Sequence, residues 1–155
     1  MTVPHGYWES LTNAVCSTIA KDRVGTPVFV RWSLLVADDR KDFERLVATM
    51  LLTVGEWFGS EAIRIMVLAP DDPYALAVSA EFPGGETALL TAGLSHRRPA
   101  LDFILLGNEG AAYQHEFTPG GQDRSFAAPE SAAIDTLVAR LRNSLRSGIP
   151  TEVGV

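Results

Sequence analysis

Cysteine is almost missing: Cys16 is the single thiol among 155 residues, which offers no internal disulfide and too few ligands for a cysteine-based metal site. Histidine is nearly as scarce. His5, His96 and His115 lie far apart, with no His-x-His spacing and no paired carboxylates in register, so no metal centre is expected. Positive charge is also in short supply, with 13 Lys and Arg against 19 Asp and Glu, a formal net charge of -6, and one short basic run at His96-Arg97-Arg98. Nucleic acid and anionic membrane both reward clustered cations, so neither is expected as the main partner. No apolar run has the length of a membrane span, and the opening MTVPHGYWES lacks the basic-then-apolar order of a secretory signal. The cytoplasm is the expected compartment. A G-x-G-x-x-G between a strand and a helix is missing as well, so no dinucleotide site of that kind is encoded and no cofactor is expected.

What is present suits one soluble domain over 1–155, with no repeat and no linker long enough to divide it. Its centre of gravity is Tyr74 to Phe117, where alternating apolar positions run in four bursts separated by Pro83-Gly84-Gly85, by Ser95 to Pro99 and by Gly107-Asn108-Glu109-Gly110. That pattern predicts four strands in a meander. In the first burst Tyr74, Leu76, Val78, Ala80 and Phe82 make a large apolar face, opposed by small or polar Ala75, Ala77, Ser79 and Glu81. Helices are expected on the first face and a flatter neighbour, such as another subunit, on the second.

Upstream, Trp8, Leu11, Val15 and Ile19 recur at helical spacing, with Ala14 and Thr18 in the same stripe and Gly25-Thr26-Pro27 as the stop. Cys16 beside that stripe reads as a small buried thiol. Val28 to Val36 is a strand with Arg31 and Ser33 on one face and Val30, Trp32 and Leu34 on the other. Asp38-Asp39 then offers an N-cap, and capping accounts for Asp38, Asp39 and Asp42 without a cation. The next helix carries Phe43, Leu46, Val47, Met50, Leu51, Val54, Trp57 and Phe58 on one stripe and stops at Gly59. Burying eight such side chains contributes on the order of ten kcal/mol or more before entropy is subtracted. Ala62 to Ala69, apolar on both faces, is expected to be a central strand. After the loop TPGGQDRSFAA, Pro129 opens a final helix with Ile134, Leu137, Val138, Leu141 and Leu145 on its apolar stripe. Arg140, Arg142 and Arg146 load cation toward its C-terminus, and Gly148 and Pro150 end it. The order of elements predicts an α+β fold: one six-stranded, mostly antiparallel open sheet with helices packed on one face.

Several strings resemble a known family. Asp22 to Val28 resembles a G-x-I-G-x-P turn, with Asp22 in place of the first Gly. The run Glu56 to Ile65 resembles a helix end and following strand, Ala80 to Gly85 with Thr87 to Leu90 an F-x-N/G-G hairpin, Gly107 to Gly110 a G-x-x-G turn, and Leu145 to Val153 a closing tail. Together these are similar to the C-terminal domain of the Gfo/Idh/MocA oxidoreductases, standing alone. The resemblance implies that the cofactor-binding Rossmann domain and its E-K-P lysine belong to a part not present in these residues. It also implies a His and a carboxylate on the second helix, in an H-x-x-x-D or H-x-x-D spacing. Here the His position falls on Met50 or Thr49 and the carboxylate position on Thr53 or Leu52, none of which titrates near neutrality.

The expectation is therefore a non-catalytic oxidoreductase-like domain acting in self-association or partner binding. In the family resembled, the open sheet face commonly builds the subunit interface, which points to Ala75, Ala77, Ser79 and Glu81 and to a homodimer. One alternative is an accessory subunit that completes the substrate site of a separate Rossmann-bearing, NAD(P)-dependent sugar or polyol dehydrogenase. Another is a small-ligand-binding protein. For either, the candidate ligand residues are Arg31, Trp32, Thr49 and Thr53, a cation beside an aromatic being suited to a sugar or an acid. His96-Arg97-Arg98 reads as a solvated loop before an anion grip, and His115 as a partly buried, hydrogen-bonded side chain before a base.

Overall fold

The computed structural model describes residues 6–36, 42–68, 71–95, 100–117 and 131–152, with the backbone alone for 6–10 and 114–117. In chain order they form α1 (Gly6–Ala20), β1 (Pro27–Val36), α2 (Phe43–Phe58), β2 (Arg64–Leu68), β3 (Ala75–Glu81), β4 (Thr87–Leu94), β5 (Ala100–Gly107), β6 (Ala111–Phe117), α3 (Ala132–Ser147) and β7 (Thr151–Glu152). The expected α+β architecture is found. Its sheet has seven strands rather than six, because β7 is a two-residue strand too short for any periodicity to announce.

The strand order is β6-β5-β1-β4-β3-β2-β7. The four predicted bursts are all strands, but they do not form one meander. β1 lies between β4 and β5, parallel to β4 and antiparallel to β5, and splits the run into two hairpins, β3-β4 and β5-β6. Adjacency in sequence hid this, since both strands that pair with β1 follow α2 in the chain. β1, α2 and β2 thus make a crossover between strands of like direction, with the β3-β4 hairpin inserted in the gap. β2 is accordingly next to an edge and not central, and its alternate residues Arg64 and Met66 are exposed while Ile65 and Val67 are buried.

The helix ends show what the chain uses as punctuation. Asp42 caps α2, its carboxylate accepting from the Arg45 N–H at 3.1 Å, so the cap lies beyond the Asp38-Asp39 pair, which falls outside the described residues. Gly59 ends α2 as expected, in the left-handed conformation at φ 70 that costs glycine least. α1 stops at Ala20, before the expected breaker, and Cys16 on it is exposed rather than buried. α3 begins at Ala132 with Ser131 as its N-cap, and Pro129 lies outside the described residues. Of the three arginines placed near its end, Arg146 is in the last turn, whereas Arg140 donates to the Glu152 carbonyl and Arg142 to Glu44.

Two turns picked out separately in the sequence meet in space. The Asn108 Oδ1 accepts from the Thr26 N–H at 2.8 Å, the Asn108 N–H donates to the Thr26 carbonyl at 3.0 Å, and the Glu109 N–H donates to the Val24 carbonyl at 3.0 Å. A Cβ on Gly107 would stand 1.9 Å from the Val24 oxygen, so only glycine allows this approach. Asp22, standing where the turn pattern has glycine, takes φ 55 itself, a conformation that aspartate tolerates better than most residues.

The core is one layer between the sheet and α2 with α3. Val30, Trp32 and Leu34 from β1, Leu76, Val78 and Ala80 from β3, Leu90 from β4 and Phe103 and Leu105 from β5 face it, and Leu46, Val47, Met50, Leu51 and Val54 of α2 fill it. Tyr74, assigned to the same face by alternation, precedes β3 and is 57% exposed. Leu46 and Met50 are almost wholly enclosed. Leu46→Ala and Met50→Ala are each expected to cost about 2–5 kcal/mol in urea unfolding. A loss under about 1 kcal/mol for both would remove α2 from the core.

Candidate functional site

Nothing among the described residues packs on the second face of the sheet, and the register lays that face out in rows. One row runs Leu106, Phe29, Thr87, Glu81 and Arg64 across β5, β1, β4, β3 and β2; the next runs Ile104, Arg31, Leu89, Ser79 and Met66. The third is Asp102, Ser33, Thr91, Ala77 and Leu68, and the fourth Ala100, Leu35, Gly93 and Ala75. Ala75, Ala77, Ser79 and Glu81 therefore do lie on the open face, as their alternation requires. They are its margin. Phe29, Leu35, Leu89, Ile104 and Leu106, on the middle strands, are larger and only half-buried. Ile104, Leu106 and Asp102 escape notice in the sequence because LDFILLG alternates weakly in polarity, and the signal that could find them is their pairing with β1 around Arg31.

Arg31 projects from β1 onto this face, and its Nη2 donates to the Asp102 carboxylate of β5 at 2.9 Å. Toward the other edge Arg64 donates from Nε to Glu152 at 3.0 Å and from Nη1 to Glu81 at 3.1 Å. The Glu152 bond, then the charges of Glu81 and Glu152, hold the Arg64 guanidinium above its ordinary pKa. This cluster ties β7, β2 and β3 together at the surface. His115 is in register with Asp102 on β6, the surroundings of its side chain lying outside the described residues. His5 and the His96-Arg97-Arg98 run lie outside them too.

Trp32 is the sequence neighbour of Arg31 and points the other way, fully buried under α2. Its ring stacks on Trp57 at 5.6 Å, and both meet the edge of Phe103, at 6.0 and 5.5 Å. The two residues weighed as a cation-aromatic pair are thus not one site. Thr49 is buried and its hydroxyl donates to the Arg45 carbonyl at 2.9 Å; Thr53, half-buried, donates to the Thr49 carbonyl at 2.8 Å. Met50 is fully enclosed. The positions that the family resemblance reserves for an acid-base pair hold no titratable group, and the threonine protons are spent on the helix itself.

A separate concavity of about 680 Å³ lies between the second half of α2 and the first half of α3. Leu51, Leu52 and Leu137 give it an apolar floor, and Glu56, Glu61 and Arg140 stand at its sides. It opens on the helix side, away from Arg31. Among the described residues no group of three His, Cys, Asp or Glu is placed to hold a metal ion, and no helix is long and apolar enough to cross a membrane.

Solved structures share this fold. A Sinorhizobium meliloti 1021 protein assigned as a myo-inositol dehydrogenase superimposes with TM-score 0.70 at 11% identity, over 92% of this chain and 62% of its own. The myo-inositol dehydrogenase of Corynebacterium glutamicum gives 0.66 at 10% identity, over 93% and 61%. The scyllo-inositol dehydrogenase of Lactobacillus casei, solved with NAD(H) and scyllo-inositol, gives 0.58 at 13%, over 97% and 56%. The chain has the fold of part of an inositol dehydrogenase. The Gfo/Idh/MocA resemblance is thus found at the level of the fold, and the chain spans about three fifths of the length of these proteins. No protein-family model matches the sequence, and no curated protein matches it.

The Trp57 indole N–H is enclosed and has no acceptor among the described residues. A buried donor left unpaired costs about 1–3 kcal/mol, which its removal recovers. Trp57→Phe is therefore expected to keep thermal stability within about 1.5 kcal/mol of the parent, the lost area being offset by the removed N–H. A loss above about 3 kcal/mol in calorimetry would show that the indole nitrogen is satisfied in solution.

Proposed function

We propose that this chain is a non-catalytic, oxidoreductase-like domain whose open sheet face associates with a second copy of itself. One observation carries the reading: Leu106, Phe29, Ile104 and Leu89 sit at neighbouring register positions of β5, β1 and β4 around Arg31, with Leu35 beyond the polar row of Asp102, Ser33 and Thr91, and the fold leaves all five only half-covered. Exposed contiguous apolar area of this kind marks an interaction surface, and two such faces stacked about 10 Å apart would bury each other. The small residues Ala75, Ala77 and Ser79 admit close approach at the margin. Loss of chemistry is supported by the second helix, where Met50, Thr49, Leu52 and Thr53 stand at the expected acid-base positions. Light scattering at micromolar concentration is expected to give twice 16.7 kDa, and Leu89→Asp to give a folded monomer. A wild-type mass of one chain would overturn the reading.

A second reading is favoured by the concavity between α2 and α3. It is an accessory role, in which a separate NAD(P)-dependent dehydrogenase brings the cofactor and this chain supplies a wall on its helix side; the same concavity is where a small ligand would sit. Leu52→Arg, which fills the concavity and leaves the sheet face alone, separates the two readings. If the accessory role holds, a nicotinamide-binding chain co-elutes with the wild type and is lost with Leu52→Arg, whereas the mass of this chain by itself is unchanged. Co-elution that survives Leu52→Arg would place the partner elsewhere.

A further inference from the structure

An apolar sheet face alone does not specify one pose, because rows of half-buried aliphatic side chains can slide past each other at little cost. The middle of this face contains something less permissive. Of the sixteen open-face positions on β5, β1, β4 and β3, three are charged, Arg31, Asp102 and Glu81, and Glu81 belongs to the Arg64 cluster toward the edge. Arg31 and Asp102 are left as a positive and a negative charge on adjacent strands in the middle of the surface, flanked by Ile104, Leu89 and Leu35.

We infer that Arg31 and Asp102 exchange partners between two copies of the chain and so fix the geometry of the dimer. The inference rests on the self-association proposed above and adds the element that orients it. In an isologous contact, residue i of one copy meets residue j of the other and j meets i. A two-fold axis lying in the interface between β1 and β5 sets β1 of one copy over β5 of the other. With that axis along the strands, Asp102 of the second copy lies over Ser33, one row along from Arg31, and Arg31 reaches it with the same lean along the strand that carries it to its own Asp102. The dipole on this face is its own complement. A guanidinium has five N–H donors and the bond within the chain engages one nitrogen, Nη2, so the fork retains donors for a second carboxylate. Strand directions within about 30° and a gap of about 10 Å are what aligned sheets adopt, a gap that an arginine side chain enters.

In a single chain the pair is exposed on both sides, 44% and 39%, where an ion pair contributes little. Enclosed between two sheets it becomes costly to break, yet replaceable by apolar groups, and this asymmetry supplies the test. Arg31→Met alone is expected to weaken the dimer at least about a hundredfold in sedimentation equilibrium. Arg31→Met combined with Asp102→Leu is expected to return it to within about tenfold of the parent. Arg31→Asp and Asp102→Arg should each be monomeric alone and form a one-to-one heterodimer on mixing. Dimers of wild-type affinity from both charge-reversal proteins, with Leu89→Asp still monomeric, would overturn the exchange and leave self-association standing. Two folded monomers that stay apart on mixing would overturn it equally, and a monomeric wild type would remove both proposals.

Discussion

A strand bonded on both edges must send its alternate side chains into two separate environments, and β1 does this over its whole length. β4 pairs with it from Phe29 to Val36 and β5 from Pro27 to Leu35, so neither edge is open to solvent or to sliding. Val30, Trp32 and Leu34 go down into the layer under α2; Arg31, Ser33 and Leu35 go up onto the open face. Slipping the register by one residue would put an arginine into a dry core and a tryptophan on the surface, a change that no local adjustment could offset. The hairpins on either side, the position of α2 and the division of the described residues into a helix side and an open side all follow from where β1 sits.

That division also explains which parts of the chain could be read in advance. Helix α2 was plain from Leu46 to Trp57, because helical period, cap and stop agree, and β3 was plain because small and large residues alternate without a break. The split of the strands by β1 was not legible: pairing partners are chosen by which edges remain after the layer forms, and YALAVSAEF carries no mark of whether its neighbour is the next strand or an earlier one. The two-residue β7 is held by Arg64, 88 residues away in sequence, and by the Arg140 bond to the Glu152 carbonyl. Cys16 misled because it was judged from its place beside the apolar stripe of α1, and Leu11 and Val15 turn into the core while Cys16, the next residue, stays outside. For the site, the residues at the margin were visible through their small size. The middle of the face was not, since Leu89, Leu106 and Ile104 look like any strand core until the helices are known to lie on the other side.

The inositol dehydrogenases of like fold are longer than this chain, and their identity to it, at 10 to 13%, lies where only the packing pattern persists. One such packing feature is specific here: the turn at Asp22 to Pro27 docks on Gly107 to Glu109, with Asp22 in the left-handed conformation that glycine adopts at less cost. The docked turns are intact in this chain, while the positions on α2 that the resemblance reserves for titratable groups hold Met50, Thr49, Leu52 and Thr53. On the proposed reading, selection has acted on the sheet and its contacts and released the chemistry.

The open face and the concavity between α2 and α3 are separated by the sheet and a helix layer, so a change on one has no direct contact through which to reach the other. Arg31 and Leu89 can be altered without moving Leu52 or Glu56, because the intervening residues, Val30, Trp32 and Leu90, are fully buried and belong to the core. Self-association through one side is therefore compatible with an occupant on the other, and a dimer built on β1 and β5 would present two such concavities pointing away from the shared plane. In that arrangement the sheet gives the assembly its geometry and the helices remain free to define what it meets.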